Sequence, residues 1–115
     1  MSKQDELRIN QQQLVEAWQK TLPSLIPETD SATVIADGAD NKALRVTIEA
    51  AGHQLYSFDF RVEYVDSREI KVDFIDVEEA GRSVDEHQDT IQQLIDDYMR
   101  HIRECAQALH TVTHA

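Results

Sequence analysis

Residues 42–77 read KALRVTIEAAGHQLYSFDFRVEYVDSREIKVDFIDV. Within them, three runs alternate apolar with polar side chains: Leu44, Val46 and Ile48; Tyr56, Phe58, Phe60, Val62 and Tyr64; then Ile70, Val72 and Phe74. This two-residue period belongs to strands with one buried and one wet face. Ala51-Gly52-His53 and Asp66-Ser67-Arg68 turn the chain between the runs. Folding them back with apolar faces aligned sets Arg45 opposite Asp59, Thr47 opposite Ser57, Arg61 opposite Asp73 and Glu63 opposite Lys71. Cross-strand pairs of this kind contribute roughly 0.2–1 kcal/mol each, and a one-residue slip would turn the apolar side to water. With an arginine opposite each, Asp59 and Asp73 read as ion-paired and structural, not as a general acid–base pair.

Beyond Phe74 the alternation breaks, because Ile75 and Val77 fall on the face opposite to Val72. Either a bulge re-aims the strand end, or these two stand on the outer face with Leu55 and Val65. The second arrangement is the expectation. It predicts an apolar patch of Leu55, Val65, Ile75 and Val77, and exposed patches mark contacts with other chains.

Upstream, Leu7, Leu14, Val15, Trp18, Leu22 and Leu25 recur at helical spacing, which predicts a helix over 3–22 ended by Pro23. Trp18 sits mid-stripe, a core position. Ala32 to Ala36 reads as a short strand and Asp37-Gly38-Ala39-Asp40-Asn41 as a turn. Downstream, residues 78–82 read as a linker, and Ser83 with Glu86 as a capping box opening a long helix. Ile91, Ile95, Tyr98, Ile102, Cys105, Leu109 and Val112 then step by four and three alternately, an apolar seam of 22 residues. It spans roughly 30 Å, matching a strand of about nine residues. The prediction is one α+β domain over 1–115: a four-stranded antiparallel meander with the N-terminal and the long C-terminal helix on one face, in the order α-β-β-β-β-α.

A chain of 115 residues hides roughly two-thirds of its unfolded surface on folding, enough for a core without staples. Twenty-two acids against eleven bases give a formal charge of −11. That opposes binding to nucleic acid or anionic lipid, both of which need clustered Lys and Arg. The polar start, Met1-Ser2-Lys3-Gln4-Asp5-Glu6, has no signal-peptide core, and no apolar run reaches the bilayer-spanning length of about 20 residues. The single cysteine, Cys105, excludes an internal disulfide. Cytoplasm is the expected compartment, and the compact size suits a bacterial protein.

No catalytic constellation emerges. Cys105 lies in the apolar seam, where cysteine acts as a small hydrophobe. The three glycines are isolated, so no phosphate-cradling loop exists, and no serine sits in a nucleophile elbow. Asp97, His101 and Glu104 share one side of the last helix, a weak N/O trio without the second shell of a dedicated metal site. His110 and His114 fall in a terminal turn, His53 in a tight turn, and His87 in the first turn of the helix. The expectation is a protein that is not an enzyme and uses no metal and no cofactor.

Three readings of function follow. The leading one is a small acidic interaction module that binds a protein partner or itself as a homodimer, through Leu55, Val65, Ile75 and Val77. The second is an inhibitor or immunity-type protein that neutralises a basic enzyme through Asp85, Glu86, Asp89, Asp96 and Asp97, with a steep salt dependence. The third is a small-ligand or metal-binding domain with a pocket near Trp18, Tyr56 and Tyr98, residues that core packing explains more readily.

Overall fold

The computed structural model describes Leu7, residues 9–50 and residues 56–114. Its sheet has five antiparallel strands in sequence order: β1 (Asp30–Ala36), β2 (Ala43–Ala50), β3 (Tyr56–Tyr64), β4 (Ile70–Glu79) and β5 (Arg82–Ser83). Along β3, every second residue from Tyr56 to Tyr64 is buried, and Phe58, Phe60 and Val62 are fully so. Helices α1 (Gln11–Thr21) and α2 (Asp89–Ala108) cover this face. The Trp18 ring meets Tyr64 edge-on at 6.5 Å, and the Tyr98 ring lies 5.2 Å from Phe58. One continuous core joins both helices to the sheet. The fold is α+β, as expected, with one strand more.

The extra strand comes from the segment read as a linker. Ala80 and Gly81 both have positive φ, 49° and 83°, the backbone of a two-residue hairpin turn whose twist suits paired strands. Glu79 therefore pairs with Arg82, and Glu78 with Ser83. Ser83 is a strand residue, so the capping box expected there does not form. Asp85 instead accepts from the His87 backbone N–H at 2.9 Å. Helix α2 starts at Asp89 behind Gln88, whose side chain makes no capping bond.

Register between β2 and β3 differs from expectation by two residues. Arg45 lies opposite Arg61 and Thr47 opposite Asp59. A two-residue slide keeps every side chain on its face, so the apolar pattern alone cannot distinguish the registers. Between β3 and β4, Arg61 faces Asp73 and Glu63 faces Lys71, as the sequence predicts. A bulge then intervenes: Phe60 faces Phe74 but Asp59 faces Asp76, leaving Ile75 as the extra residue. The bulge turns Val77 inward against Phe58, fully buried. The placement of Val77 on the outer face is thereby overturned.

Helix α1 starts at Gln11, later than predicted. Asn10 is its cap, with the Gln13 N–H donating to Asn10 Oδ1 at 2.8 Å and the Asn10 N–H to Gln13 Oε1 at 3.2 Å. Most of the expected first turns, residues 3–6 and 8, fall outside the described residues. Leu22–Ser24 forms a 3-10 turn beside Pro23. In α2, Ile91, Ile95, Tyr98, Ile102 and Cys105 are buried as one stripe, followed by Leu109. The helix breaks at Leu109 (φ −95°, ψ 7°) before the short α3 (His110–Thr113). Val112 is consequently 41% exposed, and Thr113 is buried in its place.

Candidate protein-binding edge

A sheet carries two edge strands, each offering a row of unpaired backbone groups. In this chain the two edges are treated differently. On β1, the Gln19 side chain of α1 imitates a neighbouring strand. Its amide Nε2 donates to the Ala32 carbonyl at 2.9 Å, and its Oε1 accepts from the Val34 N–H at 2.8 Å. On the far side, β5 pairs only with Glu78 and Glu79. Among the described residues, Ile70–Val77 of β4 have no backbone partner on the side away from β3.

Beside that edge, Arg68, Glu69 and Ile70 face Arg103, Ala106, Gln107 and His110 across a groove of about 440 Å³. The groove is anchored by the chain's C-terminal end. Thr113 Oγ1 donates to the Ser67 carbonyl at 3.1 Å, and His114 contacts both the Ser67 hydroxyl and Arg68 Nε. His110 and His114 stack at 5.1 Å.

Of the predicted apolar patch, Val65 and Ile75 are 45% and 41% exposed. Val77 is in the core, and Leu55 lies outside the described residues. Ile35 of β1, opposite Arg45, is a further exposed apolar residue at 56%, and much of the remaining outer face is polar. Thr47 donates to Asp59 at 2.7 Å, and Arg61 donates to Asp37 at 2.8 Å, Glu63 at 2.7 Å and Asp40 at 3.3 Å. Asp59 and Asp73 therefore lack the arginine ion pairs expected of them. Among the described residues, Asp73 has Lys71 as its ion-pair partner, at 4.0 Å. The bond from Arg61, then that from the Ala39 N–H, holds the Asp37 carboxyl below the usual range, while Glu63 and Asp37 raise the already high Arg61 value.

The predicted acidic residues are not drawn into one site. Asp85, Asp89 and Asp96 are exposed, while Glu86 and Asp97 are half-buried. His87 hydrogen bonds, backbone first and then ring, lower the Asp85 value. Asp97 accepts from Gln93 at 3.1 Å and lies 3.7 Å from Arg100, leaving His101 paired with Glu104 at 2.7 Å. Among the described residues no group of three His, Cys, Asp or Glu could hold a metal ion. His53 lies outside them.

Cys105 is fully buried, and burial pushes its thiol up to about 12, unsuited to nucleophilic work near neutrality. The aromatics of the third reading are spent on the interior. Trp18 Nε1 donates to Tyr64 Oη at 3.0 Å, and Tyr98 Oη donates to Asp30 at 2.6 Å. Tyr56 is 8% exposed.

The edge asymmetry and the Asp37–Arg61 cluster escaped the sequence because both join segments distant along the chain. Asp37 and Asp40 were legible only as turn formers, and Gln19 only as a polar helix position. Among the described residues no helix is long and apolar enough to cross a membrane. No protein-family model, curated protein or solved structure matches this chain.

Proposed function

We propose that this protein is a non-catalytic interaction module that binds other polypeptide by strand addition at the free edge of β4. The observation that carries this is the asymmetry of the sheet: Gln19 takes up the Ala32 carbonyl and the Val34 N–H in the middle of the β1 edge, whereas among the described residues Ile70–Val77 have no such partner and lie beside a groove. An added strand would satisfy the outward backbone groups of β4, and side-chain pockets such as the groove would supply selectivity. Exposed Ile75 supplies apolar contact on the outer face.

A second reading has its own support. From Asp76 to Asp97 the chain carries eight acids and one arginine, and Asp85, Asp89 and Asp96 are open to solvent. Such a surface suits a basic partner, and its association would weaken steeply with salt.

Hydrogen exchange on a complex captured from the source cells separates the two. Strand addition predicts that the outward amides of β4 become protected and that Ile75→Asp weakens capture while circular dichroism is unchanged. Protection confined to residues 85–97, with affinity collapsing in salt, would instead favour the acidic surface.

A further inference from the structure

We infer that the occupant of the β4 edge is a second copy of this chain, paired antiparallel about Val72; this rests on the strand-addition reading above. The regular part of the free edge is short. The bulge at Ile75 ends it, leaving Ile70, Lys71, Val72, Asp73 and Phe74, with Val72 at the midpoint. Turning a second copy about that midpoint places Lys71 opposite Asp73 of the other chain, twice over. It places Ile70 opposite Phe74, also twice, and Val72 opposite itself.

The faces agree as well as the charges. Lys71 and Asp73 stand on the outer face, and both are solvent-accessible. Ile70, Val72 and Phe74 stand on the helix-covered face. Ile70 and Phe74 are only partly buried, so each keeps apolar surface at the edge that the other would cover. Opposite charges and apolar pairs directly across an antiparallel ladder are favourable, and like charges are not.

Neighbouring registers fail these tests. Centring on Asp73 sets two aspartates face to face; centring on Lys71 sets two lysines face to face and Asp73 against Glu69. Odd offsets would bring the apolar face of one copy against the polar face of the other. A lone edge lysine commonly blocks association. A lysine and an aspartate placed symmetrically about Val72 do the opposite, since an inverted copy meets each with its complement.

Light scattering on the intact chain should return twice the 13.2 kDa chain mass. Lys71→Asp and Asp73→Lys should each weaken self-association by about tenfold or more, because each turns both cross-chain pairs into like-charge pairs. Mixing the two variants in equal amounts should restore a dimer, now a heterodimer, since the paired aspartates of one chain then meet the paired lysines of the other. A contact within one chain cannot be rescued by mixing. Circular dichroism reports whether each variant is folded.

Val72→Cys, which leaves both charges in place, provides a second test: directly opposed residues bring Cα atoms to about 4.5–5.5 Å, within disulfide reach, so mild oxidation should give a covalent dimer. A monomeric wild type, or variants whose mixture stays monomeric, would overturn the self-pairing. Strand addition itself would survive that result if β4 amides are still protected in a captured complex, and would fail if they are not.

Discussion

Arg61 is gripped by three carboxylates, Asp37, Glu63 and Asp40, within 3.3 Å. Two of them belong to the β1–β2 turn, so the guanidinium fixes that turn against the outer face of β3. Its planar fork suits several carboxylates at once, which a lysine ammonium would not reproduce. The sequence made Arg61 and Asp73 cross-strand neighbours, correctly, and made them an ion pair, which they are not. Strand periodicity gives the facing residue, but a long side chain reaches whatever carboxylate the tertiary fold brings close. Asp37 tests the arrangement through pH. Its folded value lies below the ordinary 3.8, so the ionised form is favoured by folding. That contribution is complete above 3.8 and is lost as pH falls through the lower folded value. Asp37→Asn should lower the melting temperature at neutral pH, and the gap to wild type should close as both are taken below the ordinary carboxylate range. A gap that persists unchanged below that range would assign the loss to packing of the turn.

At the scale of elements, what could be read depended on whether the signal was local. Alternation along β3 and the four-three step of α2 place the core in both cases: Phe58, Phe60, Ile95 and Ile102 are all buried. The β2–β3 register was not legible, because a slide by two preserves the faces. The bulge was visible as broken alternation at Ile75, yet its consequence for Val77 depends on which strand absorbs the extra residue. The sequence places the start of α2 too early because Ser83 and Glu86 have the spacing of a capping box, while the Ala80–Gly81 turn draws Ser83 into β5. The true first residue, Asp89, follows Gln88 in extended geometry (φ −63°, ψ 138°) with no side-chain cap. The first backbone N–H groups of α2 thus lack the acceptor that Asn10 supplies to α1. Gln88→Asp should provide one and place a negative charge at the positive end of the helix dipole. We expect a stabilisation of about 1 kcal/mol, measured by urea denaturation at unchanged m-value. No gain would mean that the segment 85–88 already satisfies those groups by other means.

Across the whole molecule, charge is segregated. Residues 76–97 hold eight acids and one base, whereas 98–114 hold Arg100 and Arg103 against Glu104 alone. Helix α2 therefore carries acids in its first half and bases in its second, the order that complements its dipole. The net −11 acts the other way, since like charges crowded on a compact body repel. Salt weighs the two. The Arg61 cluster is partly buried and so is screened least. Lys71–Asp73 and Arg100–Asp97, at 4.0 and 3.7 Å, lie at the surface with their basic partners exposed, and such pairs contribute little for salt to remove. Self-repulsion extends over distances comparable to the Debye length, about 10 Å at 0.1 M, and is the larger quantity that salt can relieve. Melting temperature should therefore rise as sodium chloride goes from about 0.05 to about 0.5 M, by several degrees if roughly 1 kcal/mol of repulsion is screened. Sodium chloride is the proper probe, because sulfate would also strengthen apolar burial. A melting temperature that falls with added chloride would mean that local pairs, the Arg61 cluster foremost, outweigh the surplus of negative charge.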